Sequence, residues 1–396
     1  MPERSHDCGG EGLKKIVNGN MAVSYGVMLS KIEVIAAYPI TPQTPIVEKL
    51  SEWIAEGSLR SRFIQVESEH SAMAAVAAAS MVGARTFTAS SSQGIALMHE
   101  VLHWASGSRL PIVMAAVNRA VGAPWNIWND QTDSLCQRDT GWLQFYCATN
   151  QECVDSVIQA YRIAENLSLP VMIVLDGFFL SHTEEPVDIP DQETVDQFLP
   201  PRQAAIKLDP RNPHVFNILA PPESFTRMKR DGQRAMEKAP MVSAETDEAF
   251  RRVFGRGYDL VERTGPENPD LVLITMGSAA STAQEVIAEM EREGKRVSLL
   301  RIRMFRPFPS DLIRDMLRGI RKAAVMDRGF AVGTGGILSQ EVRAALFGMD
   351  QPPLLYPFVA GLGGMDVTPE MIREMVSRCL QSGSEPEHVV WMGVER

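Results

Sequence analysis

The chain has 396 residues, 45% hydrophobic and 22% charged, which is enough for a substantial core and suggests two domains or one large domain with an extension. A net charge of −10 speaks against nucleic acid as the main partner, because phosphate backbones select basic faces. No apolar run approaches the ~20 residues a membrane helix needs, and the opening MPERSHDCGGEGLKK lacks the apolar stretch of a secretory signal.

Residues 1–13 read as a disordered lead-in. Short β-rich runs then alternate with helical patterns. A strand at 33–38 leads through the loop YPITPQTP to a helix from Ile46, and RFIQVE (62–67) leads to the small-residue helix SAMAAVAAASMVG. A strand at 85–90 precedes the helix IALMHEVLHWASG, and further strands fall at 110–117 and 171–176. Such alternation predicts a mostly parallel sheet covered by helices on both faces, here over residues 14–182. From 183 to 265 prolines recur (IPDQ, FLPPR, LDPRNP, LAPPE) around one helical stretch at 223–238, which reads as an extended arm and linker. Strands at 270–277, 296–303, 322–328 and 353–359, with a helix at 282–293, predict a second, smaller domain over 266–396. The expected fold class is α/β, with two open and mostly parallel domains.

His99 and His103 in HEVLH have the spacing of a zinc-protease pair, with Glu100 in the place of the base. Such a site needs a third protein ligand. The extended signature would put Gly and His where Ser106 and Arg109 stand, and the next glutamate is Glu152, beyond a strand and a long loop. Ile95, Leu97, Met98, Val101, Leu102 and Trp104 make this helix apolar on nearly every side, which predicts burial and favours core histidines over ligands. Ser90-Ser91-Ser92-Gln93-Gly94 lies one glycine short of a nucleophile elbow, for which His182 or His214 could serve as base. Its other readings are a polar loop capping the next helix, or a loop touching a ligand. The glycine clusters at 333–336 and 361–364 lack dinucleotide spacing and read as tight turns. Five scattered cysteines with no C-x-x-C pair fit a reducing cytoplasm and speak against an iron–sulfur cluster or structural zinc in this chain.

Glu67 and Glu69 fall where a strand meets a nearly all-alanine helix. The carboxyl ends of parallel strands are where open α/β sheets bind ligands, although two acids there also suit the helix dipole. Pro39, Pro42 and Pro45 stiffen the loop that carries Thr41 and Thr44. Arg119 follows the strand LPIVMAAV at the equivalent edge, where a guanidinium suits bidentate carboxylate binding. The competing reading is an internal salt bridge to Asp130, Asp133 or Asp139.

Taken in order, YPITPQTP, Glu69, the TASSSQG turn, NRAVGAPWNIWNDQTD and QRDTGW resemble the alpha subunits of the 2-oxoacid:ferredoxin oxidoreductase family, those acting on pyruvate (the pyruvate synthases) most closely. The resemblance runs from about residue 14 to the end and includes DGFFLSHT, VDIPDQ, RMFRPFP, VMDR and GLGGMDVTPE, in which Met365 stands where an arginine is expected. It implies a thiamine diphosphate pyrimidine-binding domain followed by a transketolase C-terminal-like domain. It implies that Glu69 holds a proton at the cofactor's pyrimidine ring, that Thr41 and Arg119 hold the substrate carbonyl and carboxylate, and that Ser92, Gln93 and Pro39 line the cofactor. The sequence has no G-D-G…N motif for magnesium and diphosphate. The resemblance places the diphosphate end, Mg2+ and an iron–sulfur cluster on a beta subunit and further clusters on a delta subunit, in a complex that also holds a gamma subunit. The implied reaction converts pyruvate and coenzyme A to acetyl-CoA and CO2 with reduction of ferredoxin, in the cytoplasm. A 2-oxoisovalerate or other 2-oxoacid enzyme is the alternative, and a serine or zinc hydrolase is a remote one.

Overall fold

The computed structural model describes residues 13–394. The expected lead-in therefore lies outside the described residues except for Leu13, which opens a strand. The first half runs β1 (Leu13–Asn18), α1 (Gly19–Leu29), β2 (Val34–Ala37), α2 (Thr44–Ala55), β3 (Arg62–Gln65), α3 (Glu69–Met81) and β4 (Thr86–Ser90). It continues with α4 (Ser92–Gly107), β5 (Val113–Asn118), α5 (Thr132–Leu135), β6 (Leu143–Tyr146), α6 (Asn150–Leu167) and β7 (Val171–Asp176). Every residue of β4, β5, β6 and β7 is buried, as helices on both faces of a parallel sheet require.

The middle of the chain holds β8 (Glu184–Ile189), α7 (Gln192–Phe198) and α8 (Pro222–Phe254). Here the extended reading of 183–265 needs correction. β8 pairs antiparallel with β1, and the helix expected over 223–238 is part of a 33-residue helix that continues through Pro240. Ala235, Ala239, Ser243, Thr246, Asp247 and Phe250 are buried along one face of α8, so packing carries the helix past the residue that local propensity would use to end it.

The remaining elements are β9 (Val261–Thr264), β10 (Leu271–Thr275), α9 (Ala279–Arg292), β11 (Val297–Ile302), β12 (Met304–Arg306) and α10 (Ser310–Met316). After them come β13 (Lys322–Asp327), β14 (Phe330–Ala331), β15 (Gly335–Gly336), α11 (Ile337–Leu346), β16 (Leu354–Val359), α12 (Pro369–Gln381) and β17 (Val390–Trp391). The second sheet has the order β17-β16-β13-β10-β11-β9, parallel except for β9. The first has the order β12-β6-β7-β5-β4-β2-β3. Its outer strand β12 comes from the second half of the chain and pairs antiparallel with β6. The sequence run RVSLLRIRMF thus serves two sheets, and β6 joins β12 to the rest of the first.

Buried charge ties the halves together. Glu152 on α6 is fully buried and accepts from Arg301 Nη2 at 2.6 Å and Arg303 Nε at 2.7 Å. Burial alone would raise its pKa, but the two guanidiniums hold the carboxyl below its ordinary range. At the end of β7, Asp176 accepts from Gln131 at 2.8 Å and, across to the second half, from the Ser278 amide at 2.8 Å and Arg328 at 3.2 Å.

Candidate active site at the strand ends of the first sheet

Glu69 is the first residue of α3, behind Ser68, whose hydroxyl accepts the Ser71 N–H at 3.3 Å. The alanines of α3 let it approach α4 closely. A Cβ on Gly94 would come within 2.7 Å of Glu69 Oε1 and would also strike Ser90 Oγ, so only glycine leaves room for the carboxylate there. Glu69 is only 7% exposed, and its carboxylate meets no hydrogen-bond donor among the described residues. Beside it the Ser90 and Ser91 hydroxyls are buried without partners. Buried polar groups are ordinarily paired, so unpaired ones mark a place where something polar belongs.

Three donors pin the proline-rich loop by its own carbonyls. Gln43 Nε2 bonds Tyr38 O at 2.8 Å, Asn20 Nδ2 bonds Pro42 O at 2.9 Å, and Arg119 Nη1 bonds Thr41 O at 2.9 Å. Thr41 and Arg119 are therefore brought together. Arg119 is 7% exposed and, among the described residues, its guanidinium meets only carbonyls, the second being Asn126 O at 3.4 Å. The internal salt bridge does not form: Asp133 accepts the backbone N–H of Arg119 at 3.0 Å, and Asp130 accepts Thr132 N at 2.8 Å. Burial lowers the guanidinium pKa. A guanidinium has five donors, so two carbonyls leave a fork able to receive a carboxylate. Pro39, two residues before Thr41, lines a cleft of about 520 Å3 at the sheet edge with Tyr38, Val47, Phe63 and Val66.

Ser92 heads α4 with a left-handed φ of +49°. Its N–H donates to Asp133 Oδ2 at 2.8 Å, and its hydroxyl, with a single proton to give, lies against both Ala120 O at 2.5 Å and Gln93 Oε1. Gln93 is exposed, and its Nε2 lies 2.9 Å from where a Cβ on Gly122 would be. The turn and the loop after β5 are thus in contact. Among the described residues no histidine bonds Ser92: His182 bonds Ser181 Oγ at 2.7 Å, and His214 faces Asn212. Asp133, considered in the sequence only as a salt-bridge partner, is fully buried at the centre of this arrangement. NDQTDSL packs two acids and two amides into seven residues, a composition that gives no hint of burial.

The HEVLH helix needs a correction. Its buried face is Ile95, Met98, Val101, Leu102 and Ala105, while Leu97 and Trp104 are 51% and 49% exposed. His99 and His103 are exposed too, His99 bonding Gln137 at 2.6 Å. They are surface residues, not core histidines. Among the described residues no three His, Cys, Asp or Glu side chains group as metal ligands do.

Residues 25–248 match the family described as pyruvate flavodoxin/ferredoxin oxidoreductase, thiamine diphosphate-binding, and residues 269–372 match pyruvate:ferredoxin oxidoreductase core domain II. The chain belongs to the 2-oxoacid:ferredoxin oxidoreductase family. The pyruvate synthase subunit PorA of Methanothermobacter thermautotrophicus is 45% identical over 96% of this chain and 98% of its own length. The ketoisovalerate oxidoreductase subunit VorA of Pyrococcus horikoshii is 44% identical over 97% and 99%. In fold, the chain matches the 2-oxoglutarate:ferredoxin oxidoreductase of Magnetococcus marinus with a TM-score of 0.73 at 22% identity, covering 93% of this chain and 65% of that one. A split-gene transketolase matches at 0.54 and 15% identity, over 92% and 98%. The two-sheet α/β architecture is therefore transketolase-like. Residues 25–248 form the family's thiamine diphosphate-binding domain, and the lone Glu69 carboxylate, the glycine-made space beside it and the unpaired serine hydroxyls fit a polar heteroaromatic ring. No helix among the described residues is long and apolar enough to cross a membrane.

Proposed function

We propose that this chain is the alpha subunit of a cytoplasmic pyruvate:ferredoxin oxidoreductase, divided into residues 14–182, 183–265 and 266–396. With beta, gamma and delta subunits and ferredoxin, it converts pyruvate and coenzyme A to acetyl-CoA and CO2, or runs the reverse carboxylation. Mg2+ and the iron–sulfur clusters reside on the partner subunits. Bound thiamine diphosphate supplies a nucleophilic carbon for the 2-oxo group. The observation that carries the reading is the Glu69 carboxylate, buried beside Gly94 and met by no donor among the described residues. In that position Glu69 holds a proton at the pyrimidine ring nitrogen and takes part in its transfer. Ser92 and Gln93 contribute to the same wall, with Pro39 beyond it. Arg119 receives the substrate carboxylate, and the Thr41 hydroxyl bonds the substrate carbonyl or carboxylate beside it.

Glu69→Gln in the assembled complex tests this. The amide occupies the same space but cannot supply or hold the proton, so turnover should fall by about 10² to 10⁴ while the subunits still assemble. Near-normal turnover overturns the role of Glu69. A branched-chain 2-oxoacid as substrate is the second reading, favoured by the ketoisovalerate oxidoreductase subunit being as similar to this chain as the pyruvate synthase subunit is.

A further inference from the structure

Asp133 joins three segments of the site. Its Oδ2 accepts the backbone N–H groups of Ser92, at the start of α4, and of Arg119, at the end of β5, at 2.8 and 3.0 Å. Its Oδ1 accepts Asn118 Nδ2 at 2.6 Å and Ser134 N at 2.7 Å. All four donors are neutral, and the carboxyl is fully buried. Ser92 meanwhile holds a backbone conformation that a non-glycine residue keeps only when its surroundings impose it. Its hydroxyl makes a second link to the strand end through Ala120 O. A carboxylate that only capped a helix would not also fix the backbone of the arginine on the neighbouring strand.

We propose that Asp133 is a positioning residue that locks the cofactor-facing Ser92–Gln93 turn and the substrate-facing Arg119 into one geometry, so that neither is set independently of the other. The inference rests on the functional reading above and deepens it. Both oxygens of Asp133 accept at once, which an asparagine cannot reproduce: its amide nitrogen would face an N–H group. Asp133→Asn should therefore disturb both segments together.

The test measures, in the assembled complex, the KM for the 2-oxo acid and, by calorimetry on complex stripped of cofactor, the dissociation constant of thiamine diphosphate. Asp133→Asn should raise both by about tenfold or more, the scale of a lost hydrogen bond to a charged group. Asn118→Ala, which removes one donor and keeps the carboxylate, should raise both by a smaller factor, and it decides the matter if Asp133→Asn does not assemble. A merely structural carboxylate would lower the melting temperature and the number of active sites while both constants stay at parental values. That result, or a rise in only one constant, overturns the lock. Arg119→Ala should move the KM alone and Glu69→Gln chiefly kcat. Severe loss in Glu69→Gln with unchanged constants in the Asp133 and Asn118 variants would sink the lock and leave the functional reading standing. A silent Glu69→Gln would sink the functional reading itself.

Discussion

Arg119 has its backbone N–H fixed by Asp133 and one guanidinium nitrogen fixed by Thr41 O, so its remaining donors are pre-oriented at little entropic cost. The sequence placed it at a strand's carboxyl edge, but could not say whether a nearby aspartate would neutralise it. The fold answers by turning Asp133 toward the backbone instead of the side chain. Truncating a charge-assisted bond loses ~1.5–3 kcal/mol, so Arg119→Ala should cut kcat/KM by roughly ten- to a hundredfold. Calorimetry should show cofactor binding unchanged in that variant, and released cofactor would place the arginine on the wrong ligand. Glu69 stood out in the sequence only as one of two acids at the head of a nearly all-alanine helix, and the fold separates them by burying Glu69 and leaving Glu67 exposed. The reading of Ser90–Gly94 as a loop capping the next helix does not hold, since Ser91 at the cap makes no side-chain cap bond. The left-handed φ of Ser92 was not legible at all, because a positive φ at serine is imposed by tertiary contacts.

At the scale of elements, periodicity found most of the strands buried on both faces, since continuous apolar runs such as VMIVLD have few other uses. The elements it missed include β1, α1, β6, α6, α11 and α12. β6 is four residues long and carries Gln144, which becomes acceptable inside the sheet only because Ser134 O accepts its amide at 2.8 Å. Helix α11 shows a similar dependence. Its first amides, Leu338 N and Ser339 N, bond Asp327 at 2.5 and 3.2 Å, and Asp327 is the last residue of β13. Burial pushes this carboxyl up to about 7, against the opposing effect of its Ser339 and Leu338 bonds. Between the unfolded value of about 3.9 and the folded value, the native state holds the extra proton. Stability from this group is therefore highest below about pH 4 and falls as pH rises to about 7, by up to ~1.4 kcal/mol per pH unit. Asp327→Asn should remove that slope. Urea unfolding of variant and parent between pH 5 and 8 measures it, and parallel curves would show that Asp327 does not titrate there.

For the whole molecule, the halves cannot be separated without exposing Glu152, Asp176, Arg303 and Arg328, all buried in networks that cross between them. Breaking one partner of a buried pair strands the other's charge, so this junction behaves as a fixed frame. The site lies at its edge, with Trp125 77% exposed beside it, and the proposed diphosphate-holding partner completes it. Pyruvate offers a protein only a carboxylate, a carbonyl and a methyl group, so under the proposed function selectivity would rest on a small pocket that closes around Arg119 and Thr41 in the assembled complex. The assembled complex should therefore prefer pyruvate to 2-oxoisovalerate and 2-oxoglutarate in kcat/KM, and the isolated chain should turn over none of them. A higher kcat/KM with 2-oxoisovalerate would make it a branched-chain enzyme and leave the roles of Glu69 and Arg119 intact.

The sequence by itself determined the α/β class, the alternation of strand and helix, and the strand ends beside which Glu69, Thr41, Ser92 and Arg119 lie, because each depends on patterns within a few residues. It also carried the family resemblance. Tertiary structure alone decided that β12 crosses into the first sheet, that α8 runs through Pro240, and that the HEVLH histidines face solvent. It likewise decided that Asp133 gathers N–H groups from separated segments. Each of these outcomes depends on partners distant along the chain: an edge strand needs a neighbour, a proline-containing helix a packing face, and a buried carboxylate its donors. Local sequence records the need for such partners and not their position.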